Sequence, residues 1–183
     1  MQQYSILNPV GLDKFIASAN LVLSDITWLE AIYQRAYTQA YAQESTVYEP
    51  RIYLSQSEYK NPIPQDNIKA QSFWLATGPE RHLESEPNND YFENQKSRDV
   101  ALIVSANLRL IDEAKDYIFT EELKEEVEVM LNRINGLEVR EYIDEDIRQV
   151  FSGFNITEFN IMQYPYVCFR FNCTVFYGGR RSC

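Results

Sequence analysis

The sequence predicts an α/β (α+β) domain, an antiparallel sheet of about four strands with a long hairpin, packed against two or three helices. Three observations carry this. Pro165 to Tyr177 alternates, placing Val167, Phe169, Phe171, Cys173, Val175 and Tyr177 on one apolar face. Arg170, Asn172 and Thr174 form a polar face, softened by Tyr166, Cys168 and Phe176. Such alternation marks a half-buried strand, because successive side chains point to opposite faces of a sheet. Asp99 to Ile111 repeats the pattern, with Val100, Leu102, Val104, Ala106, Leu108 and Leu110 on one side. Between these two segments Leu123, Val127, Met130, Leu131 and Ile134 recur at helical spacing.

The remaining elements follow in order. Asn8-Pro9-Val10-Gly11 reads as a turn, and Leu12, Phe15, Ile16, Ala19 and Leu23 then keep a helical rhythm. Ser24-Asp25 offers an N-cap, after which Ile26, Leu29, Ile32, Tyr33, Ala36, Tyr37 and Ala40 continue the spacing. Residues 12–43 are thus expected to be helical, as one bent helix or two. Tyr48 to Leu54 is a short strand candidate, followed by a loop holding Pro62 and Pro64, because proline blocks helix and central strand alike. Gln71 to Thr77 is a second strand, ended by Gly78-Pro79. Glu80 to Arg98 is polar and acidic, with Pro87-Asn88-Asn89 in its middle, and reads as an exposed loop or extended hairpin tip. Thr120 caps a helix with Glu121 and Glu122 in its first turn, where acids suit the helix dipole, and Asn135-Gly136 ends it. Leu137 to Ile143 is a short strand, and Asp144 opens a helix through Ile147, Val150 and Phe151, stopped near Gly153. The expected organisation is a single domain over 1–183. Its helical segment is 12–43, its sheet spans 48–177 with helices near 120–135 and 144–152, and 178–183 is a tail.

Composition narrows the function. At 183 residues, 45% hydrophobic, the chain has ample material for one core. Aromatics reach 14%, and they are enriched both in cores and where proteins meet. The net charge of −10 and the lack of a basic stripe argue against sequence-specific nucleic-acid binding. The N-terminus has no charged and apolar signal pattern, and no apolar run approaches the roughly 20 residues of a membrane span. The expectation is a protein made in a cytoplasm, with no membrane partner. Cys168 and Cys173 face opposite ways on one strand and Cys183 is terminal, so reduced thiols are expected.

The search for chemistry yields no catalytic residue, cofactor site or metal site. His82 is the only histidine; on a strand it would share a face with Glu80, Glu84 and Glu86, but it has neither a second histidine nor a ligating cysteine beside it. The chain has no phosphate-cradling loop and no Gly-x-Ser-x-Gly elbow. Glu121, Glu122, Glu125, Glu126 and Glu128 read as a solvated helix face. The expectation is therefore a protein that is not an enzyme.

The order of elements carries more weight than any motif. Ser72-Phe-Trp-Leu-Ala-Thr-Gly78, Asp99 to Ile111, Glu121 to Ile134 and the close from Gly153 to Tyr177 resemble, as architecture over residues 24–177, the tail-terminator or tail-completion proteins of tailed bacteriophages. The resemblance implies a structural virion protein and no catalytic residues. It implies a homo-oligomeric neck ring of six or twelve copies, joining head connector and tail around the DNA channel. It also implies contacts with other neck, portal-side or tail-tube proteins, and assembly into the virion in the host cytoplasm. Such a ring needs two complementary surfaces per subunit. The sequence offers the acidic hairpin with Glu80, His82, Glu84, Glu86 and Asp90, the tyrosines Tyr33, Tyr37 and Tyr41, and the basic tail Arg180-Arg181. The alternatives are a monomeric or dimeric soluble adaptor for one partner, and a hydrolase with scattered acids.

Overall fold

Leu12–Leu23 forms the first helix, α1, and Leu12, Ile16, Ala19, Asn20 and Leu23 make its buried face. These positions recur every three or four residues, which aligns them on one side of a 3.6-residue turn. The structure is a computed structural model. It describes residues 2–3, 6–40, 48–55, 58–60, 67–83, 95–144, 146–152, 154 and 164–178.

The strands are β1 (Gln2–Gln3), β2 (Ala31–Ala40), β3 (Tyr48–Ser55), β4 (Glu58–Lys60), β5 (Ala70–His82), β6 (Gln95–Asn107), β7 (Leu137–Ile143) and β8 (Tyr166–Gly178). The helices after α1 are α2 (Leu108–Ile111), α3 (Thr120–Leu131) and α4 (Ile147–Val150). The strands form one mixed sheet in the order β4-β3-β2-β5-β6-β8-β7, with β1 paired on β2. β2 runs parallel to both β1 and β5, and every other pairing is antiparallel. The α+β class is as expected, whereas the four-strand, purely antiparallel sheet is corrected to this larger mixed one.

The main correction falls on residues 12–43. Of the described residues 12–40 only 12–23 is helical, and 31–40 is a strand in the middle of the sheet; residues 41–43 lie outside the described residues. Its alternation is hidden for two reasons. Both sheet faces are covered here, so Ala31, Ile32, Tyr33, Gln34 and Ala36 are all buried and the strand reads as a continuous run. In addition β2 carries a bulge: Ile32 faces Ser72 and Arg35 faces Trp74, so three steps on β2 match two on β5. The extra residue reverses the facing of Arg35, Ala36 and Tyr37. Ile32 packs in the core beneath α1 and Tyr33 in the opposite one, yet Arg35 again points toward α1 and meets Asp13.

Two cores flank the sheet. The larger lies beneath α1 and α3 and takes Ile16, Leu23, Ile32, Trp74, Leu102, Val104, Leu123, Val127, Phe169 and Phe171. The smaller lies on the other face, where Tyr33, Ile52, Phe73, Ile103 and Cys168 meet Val150 and Phe151. The supposed polar face of β8 is thus partly interior. Arg170 is 5% exposed and donates to the Gln149 and Val150 carbonyls and, at 2.7 Å, to Ser152 Oγ, tying α4 to the sheet.

Other boundaries shift in smaller ways. β6 stops at Asn107, and Leu108 and Leu110 belong to the single turn α2. α4 is capped by Asp146, which accepts from the Arg148 amide, so Asp144 does not open the helix. The helix expected near 120–135 is present as Thr120–Leu131, but Phe119 occupies the cap position with no side-chain cap bond, so Thr120 does not cap it. It ends at Leu131, before Asn135-Gly136. Gly136 adopts φ +80, and a Cβ there would stand 2.7 Å from the Phe176 carbonyl oxygen.

Candidate interaction surface

β5 and β6 stay paired beyond the point where β2 leaves β5. The last β2–β5 partners are Ala36 and Leu75, whereas β5 and β6 continue through Glu80↔Arg98 and His82↔Lys96. The arm is offset by a bulge. From Ala76↔Val100 to Glu80↔Arg98, β5 uses four residues where β6 uses two. Gly78 fills this bulge because a Cβ there would lie 3.1 Å from Asp99 Oδ2, and its carbonyl accepts from Arg98 Nε at 2.9 Å. Of the two expectations for Glu80 to Arg98, exposed loop or extended hairpin, residues 80–82 and 96–98 follow the hairpin, as ladder.

Side chains lock the arm's base to the sheet. Glu80 accepts from Lys96 Nζ at 2.6 Å and from the Tyr177 hydroxyl at 2.5 Å. The Lys96 bond and then the Tyr177 bond hold the Glu80 carboxyl below its ordinary range. Burial first, and then Glu80, push the Tyr177 hydroxyl up to about 12, so it stays a donor. On the other face, Arg81 pairs with Asp99 at 3.3 Å and Thr174 Oγ1 donates to Asp99 Oδ1 at 3.0 Å.

Tyr177 also faces α1, where its ring centroid lies 6.5 Å from that of Phe15. Next to it an open groove of about 960 Å³ runs between α1 and the turn after α3, lined by Val10, Lys14, Phe15, Val22, Arg133 and Ile134 among others. Lys14 and Arg133 are exposed there, and neither lies within ion-pair distance of a carboxylate among the described residues. Val10, 77% exposed, is part of its apolar rim.

The residues singled out from sequence divide clearly. Glu80 and His82 lie on the arm; Glu80 is bound by Lys96 and Tyr177, and His82 is exposed. Tyr33 is not an interface residue: it is 1% exposed in the smaller core. Two positions along the same strand face, Tyr37 stands beside Arg35, which donates to its hydroxyl at 3.0 Å and sits 4.7 Å from its ring centroid. Glu84, Glu86, Asp90, Tyr41, Arg180 and Arg181 lie outside the described residues. The sequence reading missed Tyr177, Lys14 and Arg133. Tyr177 reads as part of the apolar face of its strand, while Lys14 and Arg133 are single cations at distant positions, with no pattern that marks them. Among the described residues no three His, Cys, Asp or Glu side chains form a metal cluster. No described helix is long and apolar enough to cross a membrane. No family model, curated protein or solved structure matches the chain.

Proposed function

We propose that this protein is a structural subunit of a tailed-phage virion, assembling as a six- or twelve-copy neck or tail-completion ring that joins head connector and tail around the DNA channel. The observation that carries the proposal is the β5–β6 arm, paired to its end at His82↔Lys96 and fixed at its base by Glu80, Lys96 and Tyr177. A closed ring is built from heterologous contacts, in which each subunit offers one surface and receives a different one. A rigid arm beside an open groove supplies both. The net charge of −10 suits a channel through which DNA slides without sticking, since like charges repel. In this reading the subunit assembles in the host cytoplasm, contacts neighbouring neck, portal-side or tail-tube proteins, and uses neither cofactor nor catalytic residue. The groove also favours a second reading, a monomeric or dimeric adaptor that binds a partner segment there. Native mass spectra of the purified protein across a range of concentrations separate the two. The ring reading expects a discrete hexamer or dodecamer; a monomer at every concentration overturns it and selects the adaptor.

A further inference from the structure

We infer that the groove beside α1 receives residues 84–94 of a second copy of this chain, an inference that rests on the ring reading above. The groove combines an apolar floor from Phe15, Val22 and Ile134 with two cations, Lys14 and Arg133, that no described carboxylate neutralises. On a chain of net charge −10, an apolar groove with two unpaired cations is locally opposite in sign to the whole. Its ligand should therefore be acidic and should carry apolar rings.

The chain holds one such segment between two described strands. Residues 84–94 contain Glu84, Glu86, Asp90 and Glu93 with no lysine or arginine, and Tyr91-Phe92 stands between two of the acids. Rings fit the floor, and the flanking carboxylates fit Lys14 and Arg133. The segment is carried by the end of the β5–β6 arm, where Leu83 N donates to the Gln95 carbonyl. Arm and groove are different surfaces, so docking one into the other makes a head-to-tail contact of the kind a ring repeats. Exposed charge pairs of this type weaken as salt screens them.

The test uses the full-length protein and two variants: one lacking residues 84–94, and K14E/R133E, whose substitutions lie on exposed side chains. Circular dichroism confirms that both fold. The expected result is that each variant alone loses the wild-type assembly, and that an equimolar mixture forms a 1:1 pair, one intact groove holding one intact segment. A labelled synthetic peptide of residues 84–94 is expected to bind the deletion variant at least tenfold more tightly than K14E/R133E, and more weakly as salt rises. If the wild-type ring forms and both variants keep it, this inference falls and the ring stands. A wild-type monomer that fails to bind the peptide overturns both. A wild-type monomer that binds it in a charge-dependent way overturns the ring and the second-copy occupant, and leaves the groove as an adaptor site for acidic segments.

Discussion

Asn20 shows how one side chain settles two problems. The β2 bulge takes the Tyr33 carbonyl out of regular register, and Asn20 Nδ2 donates to it at 3.0 Å. Its Oδ1 accepts at 2.8 Å from the indole N–H of Trp74, a ring wholly inside the larger core. A buried polar group left without a partner costs about 1–3 kcal/mol, so Asn20→Ala, which removes the bonds to two such groups, is expected to destabilise the protein by about 2–6 kcal/mol in urea unfolding. A loss below about 1 kcal/mol would mean that water or a rearranged backbone satisfies both groups. Nothing in the sequence marks this residue: an asparagine within an amphipathic helix reads as ordinary, and its partners lie 13 and 54 residues away. The same holds for Lys14 and Arg133, which gain meaning only when α1 and the turn after α3 face one groove.

At the scale of elements, legibility tracked exposure. α3 presents Leu123, Val127 and Leu131 to the core and Glu121, Glu122, Glu125 and Glu128 to water, and is plain in the sequence. Glu126, expected on the solvated face, is half-buried and accepts from the Trp28 indole N–H at 2.7 Å, a partner 98 residues away. β6 and β8 are plain because their inward residues alternate over many positions. β2 was misread because burial on both faces removes the polar half of the alternation and a bulge breaks its phase, leaving spacings that mimic a helix. The arm was half legible. Its acidity is evident, but its continuation as a ladder to His82 is braced by a bond from the distant Tyr177 to Glu80, which no local pattern reveals. The arm also has a defined response to pH. The folded Glu80 carboxyl is held below its ordinary 4.5, so its pairing supports the arm fully above that value and is lost as pH falls through the lower folded value. Amide protection at residues 80–82 and 96–98 is expected to hold in the wild type at pH 6 and to fall as acid is added below 4.5. In Glu80→Gln it should be low and flat over the same range; an unchanged wild-type profile would show that the ladder alone holds the arm.

For the whole molecule, the sheet is a partition whose two sides share strands. β6 sends Leu102 and Val104 into the larger core and Ile103 into the smaller, while β8 sends Phe169 and Cys173 one way and Cys168 the other. The cores should therefore open together. Burial pushes both thiols up to about 12, which keeps them protonated and inert at neutral pH. In a Cys183→Ser background, Cys168 and Cys173 are expected to react with a thiol reagent at one common rate, set by global unfolding. Faster labelling of Cys168 would show instead that the smaller core opens alone.

The bulge at Gly78-Pro79 has a consequence for solubility at high copy number. Beyond Leu75 the outer edge of β5 has no strand partner among the described residues, and such an edge is a template onto which other chains can stack into fibrils. Pro79 has no amide hydrogen to donate, and the bulge breaks the even spacing that an incoming strand would have to match. Copies of the chain are thereby hindered from stacking edge to edge on β5 into open-ended cross-β aggregates.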